Sequence, residues 1–310
     1  MSCLHIRNLK VTFSTPLGLV KAVDDVSFNH SGGETLALVG ETGCGKSVIA
    51  NSILGLFPEN ASVEGSIYFK EQDLLKMSER ELESIRGKEI GIVFQNPSLA
   101  LNQLYSVGRQ IAEPLMVHER MNRKHAFLAV GDVLKRLGFS DIEKHLRSFP
   151  FQFSGGMNQR VLIAASMIMN PNVLITDEPT KGLDYELKNT VAEELKIVKE
   201  LNSLLLITHD FSLAEKISDR MVIMYAGEII EISPVELFSH RQLHPYSQAL
   251  LGSLPKNGFH PIPGASPSMV NPPRGCKFHP RCAAKREICS IEKPLMVSVD
   301  GREVKCHLYT

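Results

Sequence analysis

The sequence predicts an α/β fold built on a largely parallel sheet, and three observations carry that prediction. Compact apolar runs at 35–39, 173–176 and 204–208 read as buried strands. The stretch 185–201 places Leu187, Val191, Leu195, Val198 and Leu201 at spacings of three and four, as an amphipathic helix does. The run 35–39 leads into a glycine-rich turn and then a helix-like segment, and buried strands alternating with helices pack as a parallel sheet covered by helices. In such sheets ligands bind at the carboxyl ends of the strands.

In chain order, residues 1–30 alternate apolar and polar positions (Leu4, Ile6, Val11, Phe13, Val23, Val26, Phe28), which predicts short half-buried strands. Ser31-Gly32-Gly33 turns the chain into the strand 35–39. Segment 46–54 is apolar at Val48, Ile49, Ile53 and Leu54 and predicts a helix packed on that strand. Residues 79–147 are helical and charged, interrupted by a strand-like run at 90–94 just before Gln95. Segment 255–275 holds six prolines and three glycines, which neither a helix nor a central strand accepts. It reads as a linker or an irregular wrapping segment, dividing 1–254 from a cysteine-bearing tail.

Composition narrows the function classes. The chain has 310 residues, long enough at roughly 150 residues per domain for two domains or one with an appendage. Its 43% hydrophobic and 22% charged residues are those of a globular protein, not a disordered or collagen-like one. Lys plus Arg number 34 and Asp plus Glu 34, so the net charge of zero gives no global footprint for nucleic acid. No run approaches the roughly 18 apolar residues that span a bilayer, the longest candidate being 161–169. The start, MSCLHIRNLK, lacks the apolar core of a signal peptide, so a cytoplasmic chain is expected. Six cysteines complete the totals, and Cys276, Cys282, Cys289 and Cys306 crowd into the tail. In a reducing compartment these four are a metal site or a coincidence.

Gly40-Glu41-Thr42-Gly43-Cys44-Gly45-Lys46-Ser47 matches the phosphate loop in full, between a predicted strand and a predicted helix. Its glycines let successive N–H groups face phosphates, Lys46 reaches the β- and γ-phosphates, and the Ser47 hydroxyl can ligate Mg²⁺. The run 173–176 ends in Asp177 and Glu178. The first carboxylate can hold the Mg²⁺ shell and the second can take a proton from attacking water. Ser154-Gly155-Gly156-Met157-Asn158-Gln159 starts a helix: Ser154 is a good N-cap, and the glycines admit a phosphate to bare N–H groups.

Phe153-Ser154-Gly155-Gly156-Met157-Asn158-Gln159-Arg160 resembles the signature of ABC ATPases, and the order phosphate loop, Gln95, signature, Asp177-Glu178, His209 is that of the family. The resemblance narrows to the ATPase subunits of dipeptide, oligopeptide and nickel importers. It does so through 149–157, 224–231, His244-Pro245-Tyr246-Ser247-Gln248-Ala249-Leu250-Leu251, and Gly275-Cys276-Lys277-Phe278-His279-Pro280-Arg281-Cys282. It implies a RecA-like parallel-sheet core with an antiparallel β subdomain and a helical subdomain at about 95–160, together a cassette over 1–254, followed by the 255–310 extension. It also implies site roles. Glu178, His209 and Gln95 are catalytic, with Gln95 also touching Mg²⁺; Gly40 to Ser47, Asp177, Ser154, Gly155, Gly156 and Gln159 face nucleotide and Mg²⁺; Asp184 contacts an opposing cassette. Phe13 lies where the family stacks an aromatic on adenine, or where a core phenylalanine would sit.

The implied partners are a second ATPase cassette, two transmembrane permeases and an extracellular solute-binding protein, at the cytoplasmic face of the membrane, with no nucleic acid. Peptide uptake is the preferred activity, with nickel or a metal chelate as runner-up and a soluble non-transport ABC ATPase as a distant alternative. Thr42 and Cys44 stand where serine is commoner, and Lys181-Gly182 replaces smaller or polar residues. None removes a catalytic group, so ATPase activity is expected to be retained, with Cys44 a source of thiol-reagent sensitivity. The tail spacing C-x5-C-x6-C-x16-C matches neither a zinc ribbon nor a bacterial ferredoxin run. The resemblance favours a [4Fe–4S] cluster on Cys276, Cys282, Cys289 and Cys306, with Zn²⁺ or unligated, occasionally disulfide-bonded cysteines as alternatives.

Overall fold

A computed structural model describes residues 2–182 and 185–310. The chain begins with two long strands, β1 (Ser2–Thr15) and β2 (Gly18–Ser31), then β3 (Thr35–Gly40), α1 (Lys46–Ile53), β4 (Ala61–Phe69) and β5 (Gln72–Asp73). A helix-rich stretch follows: α2 (Glu79–Ile85), β6 (Ile90–Val93), α3 (Pro97–Ala100), α4 (Val107–His118), α5 (Arg123–Arg136), α6 (Ile142–Arg147) and α7 (Gly155–Met167). Alternation then resumes with β7 (Val173–Asp177), α8 (Tyr185–Leu201), β8 (Ser203–Thr208), α9 (Phe211–Ile217), β9 (Arg220–Tyr225) and β10 (Glu228–Pro234). The chain closes with α10 (Val235–His240), α11 (Pro245–Gly252), β11 (Met296–Val299) and β12 (Arg302–Lys305).

Where short strands were predicted at the start, two strands of 14 residues form. The cause is a parity change inside each. In β1, Leu4 and Ile6 are buried, and so are Leu9 and Val11. The odd step falls at Asn8, with φ of 46°, where the register with β4 shifts between Arg7 and Lys10. Such a bulge flips the inward parity without ending the strand. Asp25, with φ of 62°, sits at the corresponding step between Val23 and Val26 in β2, and its carboxylate accepts from Asn8 Nδ2 at 3.0 Å.

Two compact units divide the chain. One comprises Ser31–Glu34 and Lys76–Leu206. In it β6 pairs in parallel with β7, with Ile90 beside Val173, and β7 neighbours β8. Helix α4 packs on α5, α6 and α7 through Val107, Ile111, Ala112, Leu115, Ala126, Val130 and Leu134, all buried. The other unit comprises Ser2–His30, Thr35–Leu75 and Ile207–Thr310. It holds a four-stranded sheet ordered β2-β1-β4-β5 and the strands β11-β12-β10-β9-β3, with β3 parallel to β9 and the remaining pairs of that row antiparallel.

The tail belongs to this second unit. Its hairpin β11–β12 turns at Asp300-Gly301, with φ of 50° and 74°, and β12 extends the row by pairing with β10. Val304, Cys306 and Leu243 form a small core beneath it. A buried ion cluster fixes the tail further: Lys277 Nζ lies 2.8 Å from Asp24 and 3.2 Å from Glu228, Lys293 reaches both, and Lys305 reaches Glu228. Burial alone would raise the Asp24 carboxyl, but the Lys277 and Lys293 ammonium groups outweigh it and hold it well below the usual carboxylate range.

Candidate nucleotide-binding site

The phosphate loop hangs between the fully buried β3 and the start of α1. Its curl demands glycine at two places. A Cβ on Gly40 would lie 2.3 Å from the Met224 carbonyl oxygen, and one on Gly45, with φ of 106°, would lie 2.2 Å from that of Ala22. A Cβ on Gly43, by contrast, would meet nothing within 4 Å, so the loop's mouth is open where a phosphate would enter. Lys46 is 5% exposed and donates to the carbonyl oxygens of Gly40 and Glu41 at 2.8 and 3.1 Å. Ser47 is exposed at the helix start. The loop's far side is closed by the Gly227 N–H, which donates to the Cys44 carbonyl at 2.9 Å.

Cys44 corrects one expectation. It is 5% exposed, and burial pushes its thiol up, only partly offset by Lys46. A buried protonated thiol reacts slowly, so the predicted thiol-reagent sensitivity does not follow from this geometry. In the same unit, His209 is exposed in the turn between β8 and α9, where Asp210 caps α9 by accepting from Leu213 N at 3.2 Å. Phe13 is half-buried on β1, paired with Ala61 of β4.

The other unit carries the remaining predicted residues. Gln95 is half-buried just past β6, and Asp177 ends β7 half-buried. Glu178 is 6% exposed and holds a φ of 50°, a left-handed conformation that costs a non-glycine residue of order 1–3 kcal/mol. A turn closes there, Lys181 N–H donating to the Glu178 carbonyl at 3.1 Å. Ser154 caps α7 by accepting from Met157 N at 3.3 Å, and Gly155 is exposed with open space where a Cβ would point. Gly156 is half-buried, and Gln159 is 3% exposed. Arg160 donates to Glu194 at 2.5 Å and so ties α7 to α8. Asp184 lies outside the described residues.

Residues 23–181 match the family described as ABC transporter, and 230–289 match the one described as oligopeptide/dipeptide transporter, C-terminal region. The chain is 40% identical over 315 residues to the dipeptide transport ATP-binding protein DppD of Bacillus subtilis (strain 168), covering 98% of this chain and 94% of that one. It belongs to the ATP-binding subunits of the dipeptide/oligopeptide ABC transporter family. This ABC cassette is also 38% identical over 312 residues to the oligopeptide transport ATP-binding protein OppD of Escherichia coli (strain K12), covering 98% of this chain and 92% of that one. Among solved structures, the dimeric post-hydrolysis state of the ATP-binding cassette MJ0796 bound to ADP and Pi aligns with a TM-score of 0.67 at 26% identity, covering 77% of this chain and 100% of that one. The expected cassette fold is thereby met.

Sequence reasoning missed the groups that hold the loop from outside. Tyr246 OH accepts from Glu41 N at 3.1 Å, and Arg281 Nη1 donates to both Glu41 carboxylate oxygens at 3.1 Å. Both residues lie inside the quoted family strings, but nothing in those strings points to Glu41.

The cysteine expectation fares differently. Among the described residues no group of three or more His, Cys, Asp or Glu side chains is arranged to hold a metal ion. All four tail cysteines are free thiols. Burial pushes Cys276 up to about 11, with Cys306, Cys289 and Cys282 adding to it, and burial likewise raises Cys282 and Cys306. Neither the iron–sulfur nor the zinc expectation therefore finds support among the described residues. Among the described residues, no helix is long and apolar enough to cross a membrane.

Proposed function

We propose that this cassette hydrolyses ATP to drive uptake of di- or oligopeptides through a pair of membrane-spanning permeases. The observation that carries the reading is similarity over 98% of the chain to a dipeptide transport ATP-binding protein, together with the match of 230–289 to the oligopeptide/dipeptide transporter C-terminal region. The subunit works peripherally at the cytoplasmic face of the membrane, with a solute-binding protein delivering peptide from outside.

The loop's backbone N–H groups bind the phosphates of ATP, and Lys46 exchanges the Gly40 and Glu41 carbonyls for the phosphate oxygens. Ser47, Gln95 and Asp177 would hold Mg²⁺, which would neutralise phosphate charge; hydroxyl, amide and carboxylate oxygens suit that hard cation. A second cassette faces this one head to tail, so that the Ser154, Gly155, Gly156 and Gln159 region of each covers nucleotide on the other, and Asp184 contacts the partner. A dimeric ABC cassette among the solved structures supports this pairing. Glu178 accepts a proton from the attacking water and His209 fixes the γ-phosphate. Phe13 stacks on adenine.

Iron–sulfur ligation by the four tail cysteines forms no part of this mechanism. Iron content and a visible absorption band in anaerobically purified protein decide it: both present would restore the cluster, and absence of both would remove it. The transport reading is tested by co-purifying the chain with its permeases and measuring peptide-stimulated ATPase activity. Loss of that activity in Lys46→Ala is expected; stimulation by a nickel chelate but not by peptide would overturn the reading.

A further inference from the structure

We propose that Arg281 is a positioning residue for the phosphate loop, gripping Glu41 from the cysteine-bearing tail and so setting how the loop and Lys46 take up ATP. The inference rests on the ATP-binding reading of the loop. Glu41 follows Gly40 directly, and each of its polar groups is held. Its two carboxylate oxygens each accept from Arg281 Nη1 at 3.1 Å, and the Ser266 hydroxyl donates to the same carboxylate. Its N–H donates to Tyr246 OH at 3.1 Å, and its carbonyl accepts from Lys46 Nζ at 3.1 Å. Arg281, Ser266 and Tyr246 all lie beyond residue 245, so the C-terminal segment clamps a loop residue whose backbone touches the phosphate-binding lysine.

Arg281 is itself fixed. Its side chain is 7% exposed, its Nε donates to the Pro263 carbonyl at 2.9 Å, and its Nη1 lies 3.3 Å from Tyr225 OH. The turn that carries it is closed by His279 N donating to the Cys276 carbonyl at 3.0 Å and by Arg281 N donating to that of Phe278 at 2.9 Å. Phe278 is buried edge-on against Tyr225 and Tyr246.

A structural role alone explains this poorly. Desolvation offsets most of the attraction in an enclosed ion pair, and the tail is already anchored by the Lys277 cluster and by β12 on β10. The pair's distinctive effect is electrostatic. A glutamate in the loop sets a negative charge beside the place where anionic phosphates bind, and Arg281 both neutralises it and turns it toward the tail. Without Arg281 the carboxylate repels ATP and pulls on the peptide that Lys46 touches. Removing both charges relieves that repulsion, so the two substitutions are coupled with a sign that mere loosening of the tail does not produce.

The test is steady-state ATPase kinetics of the assembled transporter carrying Arg281→Gln, Glu41→Gln or both, with exposed Lys285→Ala as the charge control. Arg281→Gln is expected to raise the KM for ATP about fivefold to tenfold with kcat within about twofold, and Glu41→Gln/Arg281→Gln to return KM to within about twofold of Glu41→Gln alone. Lys285→Ala is expected to leave KM unchanged. Should Arg281→Gln fail to assemble, Arg281→Lys decides by the same reading, since lysine keeps the charge but loses the Nε bond to the Pro263 carbonyl that aims it at Glu41, and KM rises about twofold to fivefold. An unaltered KM in the Arg281 variants, or effects of the two single substitutions that multiply in the double, would overturn the proposal. Absence of ATP hydrolysis in the wild-type complex would instead overturn the functional reading.

Discussion

Glu178 combines burial, a left-handed backbone and a place directly after the apolar β7, and strain of this kind persists where the surroundings fix a reactive group. If it is the base, Glu178→Gln keeps ATP binding while turnover falls about 10²- to 10⁴-fold. Nucleotide binding and phosphate release, measured separately on the assembled complex, check this; near-normal turnover would remove Glu178 from the role. Gly45→Ala is expected to abolish ATP binding and lower thermal stability, because its Cβ would need the space of the Ala22 carbonyl oxygen. A melting curve with a nucleotide titration reads both effects. The loop, the carboxylate pair and the signature were legible in the sequence because their chemistry is local. Arg281 was not, since its partner Glu41 lies 240 positions earlier and only the fold brings them together.

At the scale of elements, apolar runs announced β3, β7 and β8 to within a residue or two, and the spacing of α8 gave its full length. The parity changes at Asn8 and Asp25 hid the continuity of β1 and β2, since alternation is readable only while the strand is regular. The β11–β12 hairpin went unread, although Asp300-Gly301 between two short alternating runs is a strong turn signal. The start of α11 yields a pH prediction. His244 accepts from Tyr246 N at 3.0 Å, and complete burial lowers its pKa from 6.5 to about 3. The unfolded chain therefore takes up this proton first. The stability that His244 contributes is complete above pH 6.5 and is lost as pH falls from there toward 3, at about 1.4 kcal/mol per unit. His244→Asn, which keeps a capping acceptor but no titration, is expected to flatten the pH dependence of the urea midpoint between pH 6.5 and 4.5; parallel slopes for the two proteins would contradict it.

For the whole molecule, no helix among the described residues is long and apolar enough to cross a membrane, and in the proposed function the permeases supply the spanning helices. The tail is integral to its unit, contributing β12 to the strand row, Lys277 to the ion cluster and Arg281 to the loop. Deleting 255–310 is accordingly expected to lower the melting temperature and raise the KM for ATP together, whereas a dispensable appendage would leave both unchanged. ATP hydrolysis by this cassette is proposed to drive peptide uptake, and transport by proteoliposomes bearing the complete transporter and its peptide-loaded binding protein measures that coupling. Uptake of labelled peptide should require ATP, stop with Glu178→Gln and proceed in step with phosphate release. Peptide uptake that continues with Glu178→Gln, or hydrolysis with no peptide moved, would contradict it.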